Sequence, residues 1–355
     1  MDASSEQLNN PENPNQEKEA ENAPAGSNQN TVGIAAVVLA LALFGIFTFH
    51  IDLNQKSENT RAAFQRGGMD NLKFPADRRM IDAFQGLQLE AKSVAIFDLQ
   101  SGEFVYEKNA TAQLPLASLT KIMTAIVAKE SISNPTIVTI EKDDITQDGD
   151  SGLKIGEEWN LYDLIKFMLV SSSNDGASAL ATAIGASADG LAKPETEGEI
   201  ASSKESFIEK MNGKAVELGL DQTFFLNESG LDETEGLSGA YGSARDVAKL
   251  LAYAIIKHPD IMSVTGENEL IFSTFGNENH SAKNTNPNAA SLPGILGSKT
   301  GFTDLAGGNL TVALDASFGR PIIIVVLGSS EEGRFRDVET LAKAVFADFY
   351  WSEKT

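Results

Sequence analysis

The sequence predicts an α+β fold whose sheet is assembled from distant segments, because strand patterns cluster toward both ends of the folded region while the interval between them has helical periodicity. The first β pattern runs from Ser93 to Leu99, turns through Gln100, Ser101 and Gly102, and returns from Glu103 to Lys108. The second pairs Asn309 to Asp315 with Pro321 to Gly328 around a turn containing Gly319. Between them, Leu119, Ile122, Met123, Ile126 and Val127 recur at helical spacing, Leu161 to Val170 forms an apolar helix, and an Ala-rich helix follows Asp175. The last pattern places Val338, Leu341, Ala342, Val345, Phe346 and Phe349 on one face, predicting an amphipathic helix that closes on the sheet.

Upstream, residues 1–30 are rich in Asn, Glu, Pro, Gln and Ser and hold too little apolar surface to offset the entropy of ordering, so an acidic disordered tail is expected. From Val32 to Phe49 eighteen residues are apolar save Thr48. A helix of that length covers roughly 27 Å, close to the hydrocarbon thickness of a bilayer, and residues 31–51 are read as one transmembrane helix. A cleaved signal peptide opens with a short basic segment, whereas here an acidic stretch comes first, so a retained anchor is expected. Lys56, Arg61 and Arg66 follow the span and Lys18 alone precedes it, which by the positive-inside rule favours a cytoplasmic C-terminal side; long domains, however, translocate largely regardless of charge. Residues 52–88, polar with a Gly-Gly and a Pro, read as a stalk, leaving 89–355 as a single catalytic domain.

Composition narrows the chemistry. Fifty acidic against 28 basic side chains give a net charge of −22, which argues against a nucleic-acid partner. With no cysteine, thiol nucleophiles, disulfides and thiolate metal sites are excluded. The three histidines are His50, at the end of the apolar span, and His258 and His280, which lie in no recognisable motif, so serine chemistry here calls for another base. The acidic run Asp144 to Asp150 lacks the bidentate Glu of a calcium loop, since the twelfth position is Ile155, and is read as a solvated loop. No metal or cofactor is expected.

Three short patterns carry the chemistry. Ser118-Leu119-Thr120-Lys121 opens a helix, where a spacing of three makes Ser118 and Lys121 surface neighbours near the positive end of the dipole. Ser172-Ser173-Asn174 falls in the polar break between two helices, where helix capping is its simplest role. Lys299-Thr300-Gly301 reads as a strand that puts a cation and a hydroxyl at a sheet edge, with a glycine where backbone meets ligand. Singly each is weak: Ser151 to Lys154 repeats the first spacing, and Ser57 to Asn59 the second.

In this order the three resemble the signatures of penicillin-binding proteins and serine β-lactamases. With Phe302-Thr303 after the glycine, Asn227 to Asp232 and Ser243 to Asp246, the chain from about residue 88 is similar to the low-molecular-weight D-alanyl-D-alanine carboxypeptidases. The resemblance implies a five-stranded antiparallel sheet flanked by helices with an all-helical subdomain, of the β-lactamase and D,D-peptidase type. It implies cleavage of the terminal D-Ala from peptidoglycan stem peptides ending in D-Ala-D-Ala, in cell-wall synthesis and cell shape, through an acyl-enzyme on Ser118. Lys121 would be the base, its pKa lowered by burial and by Lys299; Ser172 would pass the proton to the leaving amine, and Asn174 would bind substrate backbone. Lys299 and Thr300 would hold the terminal carboxylate, Gly301 would admit it, and the N–H groups of Ser118 and Phe302 would form the oxyanion hole. β-lactams are implied as inhibitors, and such a substrate places the domain outside the cell membrane. Alternatives are a D,D-endopeptidase or transpeptidase of the same family, a class A-like β-lactamase whose deacylating Glu is not recognisable here, or a non-catalytic penicillin sensor. Many relatives carry an extra all-β domain after the catalytic one, whereas here the predicted closing helix is the last element; polar residues 185–203 resemble an insertion.

Overall fold

Alternation with a period of two decides how the sheet is buried. In the computed structural model, which describes residues 83–352 except 132–135, 150, 189–192 and 317–318, the central strands are apolar on both faces because both are covered. Strands β1 (Ser93–Asp98), β2 (Glu103–Lys108), β3 (Ile295–Thr303), β4 (Gly307–Asp315) and β5 (Pro321–Ser329) form one antiparallel sheet in the order β3-β4-β5-β1-β2. Pairing of Ala95 with Val325 and of Val312 with Ile324 joins the first strand to the last two. Odd and even positions of β5 divide between two cores. Ile322, Ile324 and Val326 pack with Val338, Leu341, Ala342 and Val345 of the closing helix, while Ile323, Val325 and Leu327 face the helical half of the domain.

That half contains α1 (Lys121–Ser131), α2 (Leu161–Ser171), α3 (Asn174–Ala188), α4 (Glu197–Glu217) and α5 (Ala244–Lys257); α6 (Gly333–Ser352) covers the other face. Helix α4 begins with a capping box in which Thr196 and Glu199 satisfy each other's backbone N–H groups. Two carboxylates bind the ends of the sheet region together. Asp337 accepts from the N–H groups of Glu90 and Ala91 and from Ser329 Oγ, and buried Asp98 accepts from Arg320 Nε and Nη2 at 3.0 and 2.6 Å.

The structure departs from the sequence reading in several places. Residues assigned to the end of the stalk belong to the packed domain, since Phe84 is buried and stacks on Tyr106 with ring centroids 5.1 Å apart. Among the described residues of 185–203, α3 and α4 meet closely: a Cβ on Gly185 would sit 1.7 Å from the Ser203 carbonyl oxygen. A hairpin, Glu269–Ser273 with Asn279–Lys283, gives no clear signal in the sequence; its exposed face carries Ile271 beside polar residues, which blurs the alternation. The acidic tail and the apolar run Val32 to Phe49 lie outside the described residues. Among those described, no helix is long and apolar enough to cross a membrane.

Candidate active site

The edge position of β3 makes the site, because among the described residues one side of that strand has no neighbouring strand and faces the start of α1 and the break between α2 and α3. Ser118 lies in a 3-10 turn, Ala117–Thr120, that precedes α1. The turn is held from three sides. Asn309 Nδ2, on β4, donates to the carbonyls of Pro115 and Leu116 at 3.0 and 3.1 Å, and Asn309 Oδ1 accepts from Gly328 N. Gly230 (φ +79°) fits so closely that a Cβ there would lie 2.0 Å from the Ala117 oxygen. Gly301 of β3 also passes close, for a Cβ there would lie 3.0 Å from the Leu116 oxygen and 3.1 Å from Ser118 N. Ala117 itself takes a left-handed backbone, φ 48°, a strained conformation for a residue with a side chain.

The spacing of three brings Lys121 Nζ to 3.0 Å from Ser118 Oγ. The same nitrogen donates to Asn174 Oδ1 at 2.6 Å and to the Ser229 carbonyl at 2.8 Å, so each of its three protons has an acceptor. A neutral amine suits the place equally: two N–H bonds to Asn174 and Ser229 remain, and the lone pair turns to the serine hydroxyl. Lys121 is fully buried, and burial brings its pKa down to about 7, against the opposing pull of the Glu228 and Asp175 carboxylates. Lys299, expected to help lower it, shares that repulsion: burial first, then the Lys121 ammonium and Arg334, hold Lys299 well below the ordinary lysine range. Its Nζ donates to Ser172 Oγ at 2.8 Å and to the Thr300 carbonyl at 3.0 Å.

The break between α2 and α3 exposes Ser172 by a left-handed turn (φ 61°, ψ 31°) at the α2 C-terminus, while Ser173 caps α3 by accepting from Gly176 N at 2.8 Å. Asn174 is oriented by two bonds, Oδ1 to Lys121 and Nδ2 to the Asp148 carbonyl at 2.5 Å. The structure therefore gathers Ser118, Lys121, Ser172, Asn174, Lys299, Thr300 and Gly301 into one site. Phe302 follows on the same strand with its ring half-exposed over the Arg334 guanidinium, 5.9 Å from ring centre to Cζ.

Sequence reasoning missed several contributors. Arg334, at the start of α6, donates to the Gly301 carbonyl at 2.9 Å, and nothing in its local sequence signals this. Asn309 had a signal, a polar residue within an apolar strand, which requires buried partners. Ser151, dismissed with its Ser-x-x-Lys spacing, donates to Asp175 and accepts from Ser173 Oγ at 2.8 Å, while Lys154 pairs with Glu278 on the surface. The acidic loop is not wholly solvated: Asp144 is buried, accepts from Ser178 Oγ and Glu141 N, and burial raises its carboxyl pKa to about 6. His258 and His280 each meet a glutamate, Glu130 and Glu157, at 2.7 and 2.9 Å. Glu157, Glu278 and His280 bring ligand-type atoms within 4.8 Å of one another, and Lys154 and Trp159 Nε1 already answer their charge and hydrogen bonds.

A family profile for D-alanyl-D-alanine carboxypeptidases, peptidase S11, matches residues 80–193 and 197–331. The chain belongs to this D-alanyl-D-alanine carboxypeptidase family. Within the carboxypeptidase family it is 30% identical over 266 residues to D-alanyl-D-alanine carboxypeptidase DacF of Bacillus subtilis, covering 73% of this chain and 63% of that protein. It is 32% identical over 267 residues to DacC of Escherichia coli, covering 71% and 60%. The chain thus spans about three fifths of the length of these relatives. Penicillin-binding protein D2 of Listeria monocytogenes, solved in an ampicillin-bound form, matches with a TM-score of 0.59 at 29% identity over 73% of this chain and 98% of that one.

Proposed function

We propose that the protein is a serine D,D-carboxypeptidase acting on peptidoglycan stem peptides that end in D-Ala-D-Ala, and that β-lactams acylate the same serine. The observation that carries this reading is the contact of Lys121 Nζ with Ser118 Oγ, made by an amine that burial keeps close to half neutral near pH 7. Neutral Lys121 takes the Ser118 hydroxyl proton as Oγ attacks the carbonyl carbon of the penultimate D-Ala. Negative charge then grows on the carbonyl oxygen between Gly301 and the start of α1, where the N–H groups of Ser118 and Phe302 and the helix dipole receive it. Collapse of the intermediate breaks the C–N bond. The proton leaves Lys121 and, relayed by Ser172, reaches the departing D-Ala nitrogen, and water later cleaves the ester to regenerate Ser118.

Lys299 and Thr300 bind the terminal carboxylate, whose negative charge favours the Lys299 ammonium. Asn174 holds substrate backbone with its second Nδ2 proton, the first being committed to Asp148. We further propose that residues 31–51 anchor the chain in the cell membrane with this domain outside, a placement that rests on the apolar run and on the location of the substrate.

Membranes carrying the full chain, beside Ser118→Ala, would be incubated with a fluorescent penicillin and a D-Ala-D-Ala pentapeptide. Serine-dependent labelling with release of D-Ala is expected. Labelling without release would replace carboxypeptidase with transpeptidase or endopeptidase activity, and absence of labelling would overturn the reading. Added protease should remove the domain from intact spheroplasts; full protection would overturn the placement outside.

A further inference from the structure

The segment Asn284-Thr285-Asn286 lies outside the motifs above, yet it is fastened to them on both sides. Asn284 Nδ2 donates to the carbonyls of Thr265 and Glu267 at 2.8 and 2.7 Å. Buried Asn286 donates from Nδ2 to Ser298 Oγ at 3.1 Å, one residue before Lys299, and its N–H binds Asn284 Oδ1. Thr285 N donates to the carbonyl of Val170, two residues before Ser172. Two asparagine side chains thereby clamp one threonine between the end of α2 and the edge of β3. Its hydroxyl then meets the Thr300 hydroxyl at an Oγ1 to Oγ1 distance of 2.5 Å.

A hydroxyl has a single proton, so the direction of that bond matters. If Thr300 donated to Thr285, it would present lone pairs to an incoming carboxylate. If Thr285 donates, the Thr300 proton is released toward the anion and the Thr285-to-Thr300 bond polarises it further. We infer that Thr285 is a positioning residue for carboxylate recognition: it aims the Thr300 proton at the terminal carboxylate and makes the site selective for ligands in which that group is free. The inference rests on the reading of the site proposed above.

The test compares acylation of the full chain by a penicillin and by the methyl ester of the same penicillin, in wild type, Thr285→Val and Thr285→Ser. Valine keeps the shape and removes the hydroxyl; serine keeps the hydroxyl. Thr285→Val should slow acylation by the free acid several-fold, up to about tenfold, the worth of the one neutral hydrogen bond that orients Thr300, and leave the ester rate unchanged. For the peptide, KM should rise with kcat held, and Thr285→Ser should restore the free-acid rate. Equal loss with acid and ester would show a merely structural role, and an unchanged acid-to-ester ratio in Thr285→Val would also overturn the inference while leaving the function intact. A wild-type chain that neither ligand acylates would sink the reading of the site and this inference with it.

Discussion

Protonating Lys121 should silence the nucleophile, and the structure sets the pH at which this occurs. An exposed lysine with a pKa of 10.5 is neutral at pH 7 in roughly one molecule in three thousand. Lowered to about 7 by burial, Lys121 is neutral in about half. That shift corresponds to on the order of 5 kcal/mol of destabilised ammonium, at one pKa unit per 1.36 kcal/mol. The sign follows: the reactive form lacks the proton, so acylation rises with pH and levels off once pH passes about 7. The rate at pH 5 should lie roughly a hundredfold below the plateau, falling tenfold per pH unit. The assay is stopped-flow acylation by a fluorescent penicillin at limiting concentration from pH 5 to 9, where the second-order rate constant reports the ligand-free protein. Lys121→Arg, whose guanidinium does not deprotonate in proteins, should remove acylation across the range. A flat profile, a rise continuing to pH 10, or acylation retained by the arginine variant would refute the assignment of Lys121 as base.

Asn309→Ala leaves Gly328 N and the Pro115 carbonyl without their side-chain partner in a buried place, and the Leu116 carbonyl with only the Leu119 N–H. The expected loss is on the order of 3 kcal/mol in urea unfolding, with slower acylation because the Ser118 turn loosens; a change within 0.5 kcal/mol, roughly the scatter of surface substitutions, would show that the tether is dispensable. Burial raises the folded-state pKa of Asp144 from 3.8 to about 6, so the folded protein binds the extra proton and this group's contribution declines as pH rises from about 4 to 6. Asp144→Asn should gain stability relative to wild type by roughly 2–3 kcal/mol across that interval and hold it above, measured as denaturant midpoints; a constant difference across pH would contradict the assigned burial cost.

Which parts were legible follows from the range of each signal. The β1–β2 hairpin and α1 were readable because turn residues and apolar spacing act within a few residues, and the registers and bonds that realise them are local. The Glu269–Ser273 hairpin escaped because only part of one face is buried, so its alternation is broken by Ile271 on the solvent side. The stalk boundary failed for a related reason: Phe84 is isolated in a polar segment, and its burial comes from Tyr106, more than twenty residues away.

Order and spacing of Ser118, Lys121, Ser172, Asn174, Lys299 and Thr300 were enough to name the family, because a helical spacing of three and a Lys-Thr-Gly run in a strand pattern are local facts of the chain. Tertiary structure alone decided what surrounds them. Ser229 and Asp148 enter through carbonyl groups, which every residue has and which no side-chain pattern can mark. Arg334, Asn309 and Thr285 acquire their roles by meeting Gly301, Leu116 and Thr300 across the fold. The protonation of Lys121 belongs to the same class, since burial that is complete only when the helices close over β3 is what separates a reactive amine from an ordinary lysine.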